Sequence, residues 1–126
     1  MIPRLEDDLA QLLRAAAAGE LGSQRAAWKR EAAACVVLAA AGYPGPSRRG
    51  DPISGLGDAL AQPGVLVFNG ATALQDGRLV TTGGRVLSVV GRAATMAEAV
   101  AAAYEAAAKV RFEGVHYRRD ICRGLA

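Results

Sequence analysis

GVLVFNGATALQDGRLVTTGGRVLSVVGRA, residues 64–93, decides how this chain folds. Residues 64–72 read as a strand, Asp76-Gly77 as a turn, RLVTT as a second strand, Gly83-Gly84 as another turn and RVLSVVGRA as a third strand. Short apolar runs separated by glycine turns predict an antiparallel meander. The second turn carries a question of chemistry. Gly83-Gly84-Arg85 is either a hairpin turn followed by a solvated arginine or a backbone cradle for a phosphate. Successive N–H groups in a Gly-Gly link can converge on one anion, and an arginine beside them supplies a planar fork for phosphate oxygens. Thr81 and Thr82 would add hydroxyls. A Gly-Gly pair before a strand is most often a hairpin turn, so both readings stand.

Downstream, Thr95 and Glu98 have the spacing of a capping box and predict a helix over 96–110, with Val100, Tyr104, Ala107 and Ala108 on its inner face. The tail to residue 126 holds a further short extended segment and a cluster of charges. Upstream, AAACVVLAAAG (32–42) reads as a strand, because Val36, Val37 and the stop Gly42-Tyr43-Pro44-Gly45 outweigh its alanines. AAWKR (26–30) reads as a shorter one. Residues 4–18 predict an amphipathic helix with Leu5, Leu9, Leu12 and Leu13 on one side, Asp7 and Asp8 in its first turns and Gly19 at its end. The loop from Gly42 to about Gly57 is long enough to suggest a functional role. The fold class expected is α+β: a small antiparallel sheet or partial barrel with one packed helix. The abundant alanine reads as compositional bias.

With 126 residues, 52% apolar and 21% charged, the chain suits one compact domain with its own core. Two cysteines without paired spacing give neither a disulfide framework nor a zinc pattern, which fits a reducing compartment and makes the cytoplasm the expected location. No secretory signal is read in MIPRLEDDLA, and no apolar run approaches a membrane span. A net charge of +3 spread among acids, with 5% aromatics, argues against a nucleic-acid surface. The sole histidine, His116, has no nucleophile elbow to serve and reads as structural. Cys35, Cys122, His116 and Asp120 lack metal-ligand spacing, and no Walker A pattern occurs.

Two other polar segments have a plain and a functional reading. Tyr43-Pro44-Gly45 is either a rigid type II turn, with positive φ at Gly45, or a loop lining a substrate cleft. Arg118-Arg119-Asp120 is either a solvated ion cluster pinning the C-terminal segment to the sheet or a site for an acidic ligand, the plain reading being favoured.

The ordered series Tyr43-Pro44-Gly45, Arg49-Gly50-Asp51-Pro52-Ile53-Ser54-Gly55-Leu56, VFNGAT (67–72), Gly83-Gly84-Arg85-Val86-Leu87 and Tyr117-Arg118-Arg119-Asp120-Ile121 resembles the C-terminal domain of phosphoribosylamine-glycine ligase, also called glycinamide ribonucleotide synthetase. The likeness runs through nearly the whole chain. It implies a hybrid-motif-like domain of an ATP-grasp enzyme, with residues 1–22 as the terminal helix of the ATP-grasp portion and 23–126 as the C-terminal domain. The family phosphorylates glycine with ATP and passes the acyl group to phosphoribosylamine, an early step of purine synthesis.

By the same resemblance, Gly83, Gly84 and Arg85 hold the substrate's ribose phosphate, while Tyr43, Pro44 and Gly45 line the substrate cleft. No catalytic residue and no metal ligand is assigned to this chain. ATP and magnesium are expected in the full-length enzyme, on residues that precede the helix opening at Pro3-Arg4-Leu5 in the family and that this sequence does not contain. The chain alone is therefore expected to bind no cofactor and to be inactive. Its expected partners are the missing ATP-grasp portion, in the same or a separate chain, and phosphoribosylamine, with no nucleic acid and no membrane. The sequence departs from the family at Asn69-Gly70-Ala71, where His-Ala-Gly is usual, at Ser47, where an aromatic is common, and at Cys122, where glycine is common. The alternative is a free-standing, non-catalytic domain that binds a partner protein. The apolar side of the first helix discriminates between them, since it must be covered by this domain, by another copy or by the ATP-grasp portion.

Overall fold

The computed structural model describes residues 2–23 and 25–124. A 3₁₀ turn (Ile2–Arg4) leads to α1 (Leu9–Ala18), and β1 (Ala32–Ala39) and the short α2 (Leu56–Leu60) follow. Next come β2 (Val65–Asn69), β3 (Thr72–Gln75), β4 (Arg78–Thr81), β5 (Arg85–Ala93) and α3 (Met96–Ala107). The architecture is α+β, as expected.

The predicted meander is corrected. β5 runs through the middle of a three-stranded antiparallel sheet in the order β1, β5, β2, and β3 and β4 form a separate two-stranded hairpin. Asp76 (φ 48°) and Gly77 (φ 74°) provide the turn between β3 and β4, both in the left-handed region that a type I′ turn requires. Neither Gly83 nor Gly84 has positive φ, so this link does not fold β5 back on β4. It carries the chain from the hairpin to the main sheet. The strand read over 64–72 accordingly divides. Gly70 and Ala71 still donate to the Val86 and Arg85 carbonyls (2.9 and 2.8 Å), after which the chain leaves for β3.

α3 seals one face of the sheet. Thr95 Oγ1 accepts from the Glu98 N–H at 3.3 Å while the Glu98 carboxylate accepts from the Thr95 N–H at 3.1 Å, completing the predicted capping box. The inner side of α3 differs from the expectation: Ala99, Ala103, Ala106 and Ala107 are fully buried, Val100 and Tyr104 are half-buried and Ala108 is exposed. These alanines are packing residues rather than compositional bias, because a side of small groups lets the helix backbone approach β5. At the point of closest approach stands Gly91, whose Cβ would collide with the Ala99 carbonyl and the Ala103 N–H. Ala34, Val36, Leu38, Val65, Leu87 and Val89 fill the space beneath α3, with Val110 and Phe112 closing its end.

The N-terminal prediction is also adjusted. Asp8 is an N-cap whose carboxylate accepts from the Ala10 and Gln11 N–H groups at 2.8 and 3.1 Å, so the helix starts at Leu9 rather than residue 4. Gly19 ends it in the left-handed conformation (φ 73°), as read. Leu5 lies before the helix and forms a lone antiparallel bridge with Trp28, which is all that remains of the strand expected over 26–30. No residue of α1 is buried. Among the described residues no helix is long and apolar enough to cross a membrane.

Candidate functional site

The open face of the sheet carries a cleft of about 670 Å³, lined in part by Tyr43, Pro44, Ser47, Gly84, Arg85 and Ser88. Local irregularity builds it. Leu38 pairs with Leu87 but Ala39 pairs with Arg85, so Val86 is an extra residue in β5. Such a bulge re-aims the side chains beyond it. Val86 and Leu87 are both buried, and Arg85 emerges exposed at the cleft.

The opposite wall is the loop after β1. The Tyr43-Pro44 bond is cis and the positive φ belongs to Gly42 (88°), not Gly45, which corrects the type II turn. The Ala40 N–H donates to the Gly84 carbonyl at 2.8 Å, holding the loop's root against the Gly83-Gly84 link. The Tyr43 ring then covers Gly84. Further along, the Arg48 Nε donates to buried Asp51 at 2.7 Å. The Asp51 N–H donates to Thr81 Oγ1 at 3.1 Å, and the Thr81 N–H donates back to the Asp51 carbonyl at 3.0 Å. The loop is thus tied to β4 at one end and to the start of β5 at the other.

Polar groups remain available here. The Arg85 guanidinium has no ion-pair or hydrogen-bond partner among the described residues, whereas those of Arg48, Arg92 and Arg118 each pair with a carboxylate. Among those residues, too, the Gly83 and Gly84 N–H groups donate to no carbonyl, while the flanking Thr82 N–H is held by Ala71 at 2.9 Å. An exposed guanidinium beside two unsatisfied amides is donor-only chemistry, suited to an anion such as a phosphate. It does not suit magnesium, which takes oxygen ligands. No group of three or more His, Cys, Asp or Glu side chains comes together as a metal site among the described residues.

Four of the six candidates named from the sequence, Tyr43, Pro44, Gly84 and Arg85, share the cleft. Gly83 and Gly45 are adjacent in the chain but do not line it. Sequence reading missed Val37, Ser47 and Ser88. The period-two alternation of β1 and β5 would place Val37 and Ser88 on one face, but their register, Val37 opposite Ser88, has no local signature. Ser47 donates to the Gly45 carbonyl at 3.1 Å.

The charged tail is a surface ion pair, and the pin expected of it is made by another residue, onto α3 rather than the sheet. Arg118 forms a bidentate pair with Asp120 (2.8 and 2.6 Å) at the surface, and this hydrogen bond holds the Asp120 carboxyl down to about 2. The pin itself is Tyr104 on α3, whose hydroxyl donates to the Arg118 carbonyl at 2.9 Å and accepts from the Ile121 N–H at 3.0 Å. His116 bridges to Ala39 through its backbone, with its ring Nδ1 3.3 Å from the Gly114 carbonyl.

A helix-backed antiparallel sheet whose other face bears an arginine-edged cleft defines a small α+β domain. Residues 33–124 match the family described as phosphoribosylglycinamide synthetase, C domain, and the chain belongs to that family. It is 46% identical over 121 residues to phosphoribosylamine-glycine ligase of Neisseria meningitidis serogroup A, covering 96% of this chain and 28% of the relative. It is 44% identical over 118 residues to the Pseudomonas aeruginosa enzyme, covering 94% and 27%. Among solved structures, phosphoribosylamine-glycine ligase of Thermotoga maritima superposes with a TM-score of 0.62 at 47% identity, over 71% of this chain and 21% of that one. The chain thus spans between about a fifth and little more than a quarter of the relatives it matches.

Proposed function

We propose that this chain serves as the C domain of an ATP-dependent phosphoribosylamine-glycine ligase of purine synthesis, and that its cleft receives the phosphate end of phosphoribosylamine. The observation that carries the reading is the unpaired Arg85, exposed at the cleft beside two free backbone amides. In the family's reaction a glycine acyl group is passed to the amine of phosphoribosylamine. On this reading Arg85 and the Gly84 amide hold the phosphate with the neighbouring Gly83 amide, while Tyr43 and Pro44 line the wall facing the sugar and Gly45 continues their turn. The cleft's volume lies within the range of about 300–1,000 Å³ usual for small-molecule sites.

ATP and magnesium belong, on the same reading, to the remaining portion of the ligase, and residues 1–22 to its terminal helix. Two observations support this. Leu9 and Leu13 on α1 are 39% and 61% exposed, so this domain does not cover that side. An α1 ordered against this domain's own sheet would instead have favoured the free-standing alternative. The second is the cleft's donor set, which suits a phosphate and lacks magnesium ligands.

The test is Arg85→Ala in a full-length ligase carrying these residues. Losing a charge-assisted hydrogen bond worth about 1.5–3 kcal/mol raises the KM for phosphoribosylamine roughly 10- to 100-fold, with the constants for glycine and ATP nearly unchanged. An unaltered KM for phosphoribosylamine rejects the phosphate role. The 126-residue chain by itself shows no glycine-dependent ADP formation, and turnover without an added partner overturns the placement of ATP elsewhere.

A further inference from the structure

The wall of the cleft that carries Tyr43 and Pro44 has no core beneath it. Residues 42–46 are all exposed and Ser47 is half-buried, so packing does not fix where this wall stands opposite Arg85. Hydrogen bonds at its stem do. The Arg48 N–H donates to the Ala41 carbonyl at 2.9 Å and closes the loop, and Gly42 lies so near the Pro46 carbonyl that a Cβ would collide with it. The Arg48 side chain then turns to Asp51, whose backbone is gripped by Thr81 in both directions, and the Gly50 N–H adds a bond to the Thr81 carbonyl at 2.7 Å. Asp51 and Thr81 are the two buried polar residues among those described, and they meet in this one tie.

We propose that Asp51 is a positioning residue for the cleft: through Arg48 it holds the Tyr43 wall at a set distance from the Gly83-Gly84-Arg85 link, and so governs affinity for phosphoribosylamine without touching it. The inference rests on the functional reading above. Neither Arg48 nor Asp51 lines the cleft, so any effect they have on a ligand is transmitted by the loop. Thr81 ends β4, and the chain runs from it through Gly83-Gly84 into Arg85. At the other end of the loop the Ala40 N–H holds the Gly84 carbonyl. Segment 40–51 is therefore fastened at both ends to the segment that delivers the arginine, and the two walls of the cleft share one frame. The pair itself reaches from core to rim, with the Asp51 side chain 5% and the Arg48 side chain 58% exposed. A buried carboxylate with Oδ2 lacking a partner among the described residues is a poor choice for stability alone, because a well-packed apolar group of similar volume serves as well or better. What the carboxylate adds is a directed hold on Arg48, and through it on the stem of the wall.

The test is Arg48→Ala in a full-length ligase carrying these residues, assayed well below its melting temperature, with amide exchange followed in the 126-residue chain. The expected result is a KM for phosphoribosylamine raised roughly 3- to 10-fold, less than in Arg85→Ala because no contact with substrate is removed, while kcat and the constants for glycine and ATP stay within about two-fold. In the 126-residue chain the amides at positions 43 and 48, bonded to the Ala40 and Ala41 carbonyls, exchange about ten-fold or more faster while that of Val89 in the sheet is unaltered. Arg48→Lys rescues both readouts in part, since the single Nε contact to Asp51 asks for one donor rather than a fork. Asp51→Asn keeps the volume and the backbone ties to Thr81, so it carries the same test at less risk to folding and moves the KM in the same direction. A loosened loop with an unaltered KM, while Arg85→Ala still raises it, overturns the positioning role and leaves the functional reading standing. Unaltered exchange at positions 43 and 48 overturns it too, because the pair then does not hold the wall. A fall in kcat with all three KM values rising alike marks a role in folding only and also overturns it. If Arg85→Ala leaves the KM for phosphoribosylamine unchanged as well, the functional reading fails and the positioning role falls with it.

Discussion

The ring of Tyr43 occupies the space that a side chain at Gly84 would need. A Cβ there would run into the ring's Cδ2 and stand 2.9 Å from Ser47 Oγ. Two residues 41 positions apart are thereby fitted to each other at the mouth of the Arg85 cleft, and the glycine is required by contact rather than by its φ.

Gly84→Ala should therefore act on the cleft more than on the fold. Tyr43 is 40% exposed and can swing outward, so the stability loss stays near the low end of overpacking, about 1 kcal/mol. The displaced ring alters the wall beside Arg85, and the KM for phosphoribosylamine rises in a full-length ligase. Tyr43→Ala combined with Gly84→Ala should cost less than the sum of the single changes, because either one relieves the collision. Strict additivity in denaturant titrations would show that the two groups do not compete for space.

Gly91→Ala is the opposite case, since the atoms it would strike belong to the α3 backbone and cannot rotate away. The helix must lift from β5, opening the contacts of Ala99 and Ala103. A loss of roughly 2–3 kcal/mol and a fall in melting temperature of roughly 10 °C are expected. Calorimetry on the 126-residue chain decides it, and a melting temperature within a degree or two of the parent would refute close packing of α3 at this position.

The two glycines show which parts of the fold were legible. The Thr95 capping box, the Gly19 helix end and the Asp76-Gly77 turn were readable because each is made by a few consecutive residues. Strand pairing was not. Gly83-Gly84 looks the same in sequence whether the chain doubles back on β4 or crosses to another sheet, and only the φ angles distinguish them. The bulge at Val86 likewise has no signature in RVLSVV, yet it is what turns Arg85 into the cleft. Arg85 was singled out by the donor chemistry of Gly83-Gly84-Arg85 and weighted further by the family's motif series, which also supplied the cleft role of Tyr43. Ser88 and Val37 depended on a cross-strand register that no local pattern fixes. On α3, the expected inner face followed the larger side chains, whereas the structure buries the alanines.

Asp51, which hydrogen-bonds Thr81 of β4, also belongs to an ion pair within the loop with one half buried. Asp51 is 4% exposed, and of its two carboxylate oxygens only Oδ1 has a partner among the described residues, the Arg48 Nε. Arg48→Ala leaves a buried carboxylate without its side-chain donor and should cost about 1–3 kcal/mol. Asp51→Asn added to Arg48→Ala should recover part of that loss by removing the uncompensated charge. If the double variant is instead as unstable as the two single losses summed, the two side chains do not act as a pair.

At the C-terminal end, Asp120 offers a pH test with a fixed sign. Its carboxyl is held at about 2 against an ordinary value of 3.8, first by the hydrogen bond from Arg118 and then by that residue's charge, with Arg123 adding to it. A carboxyl depressed in the folded state binds fewer protons there than in the unfolded chain. Its contribution is therefore complete above pH 3.8 and is lost as the pH falls toward 2. Both partners are at the surface, so salt screens the pair and the effect on global stability is small. The local consequence is easier to read, because Asp120 sits between Arg118 and Ile121, the two residues that Tyr104 pins to α3. The carboxyl carbon of Asp120, followed by NMR, should titrate near 2 at low ionic strength and move toward 3.8 in Arg118→Ala. Exchange of the Ile121 amide should quicken over the same interval. A midpoint near 3.8 in the unaltered chain would mean that the bidentate pair is not formed in solution, and the pin would then rest on Tyr104 alone.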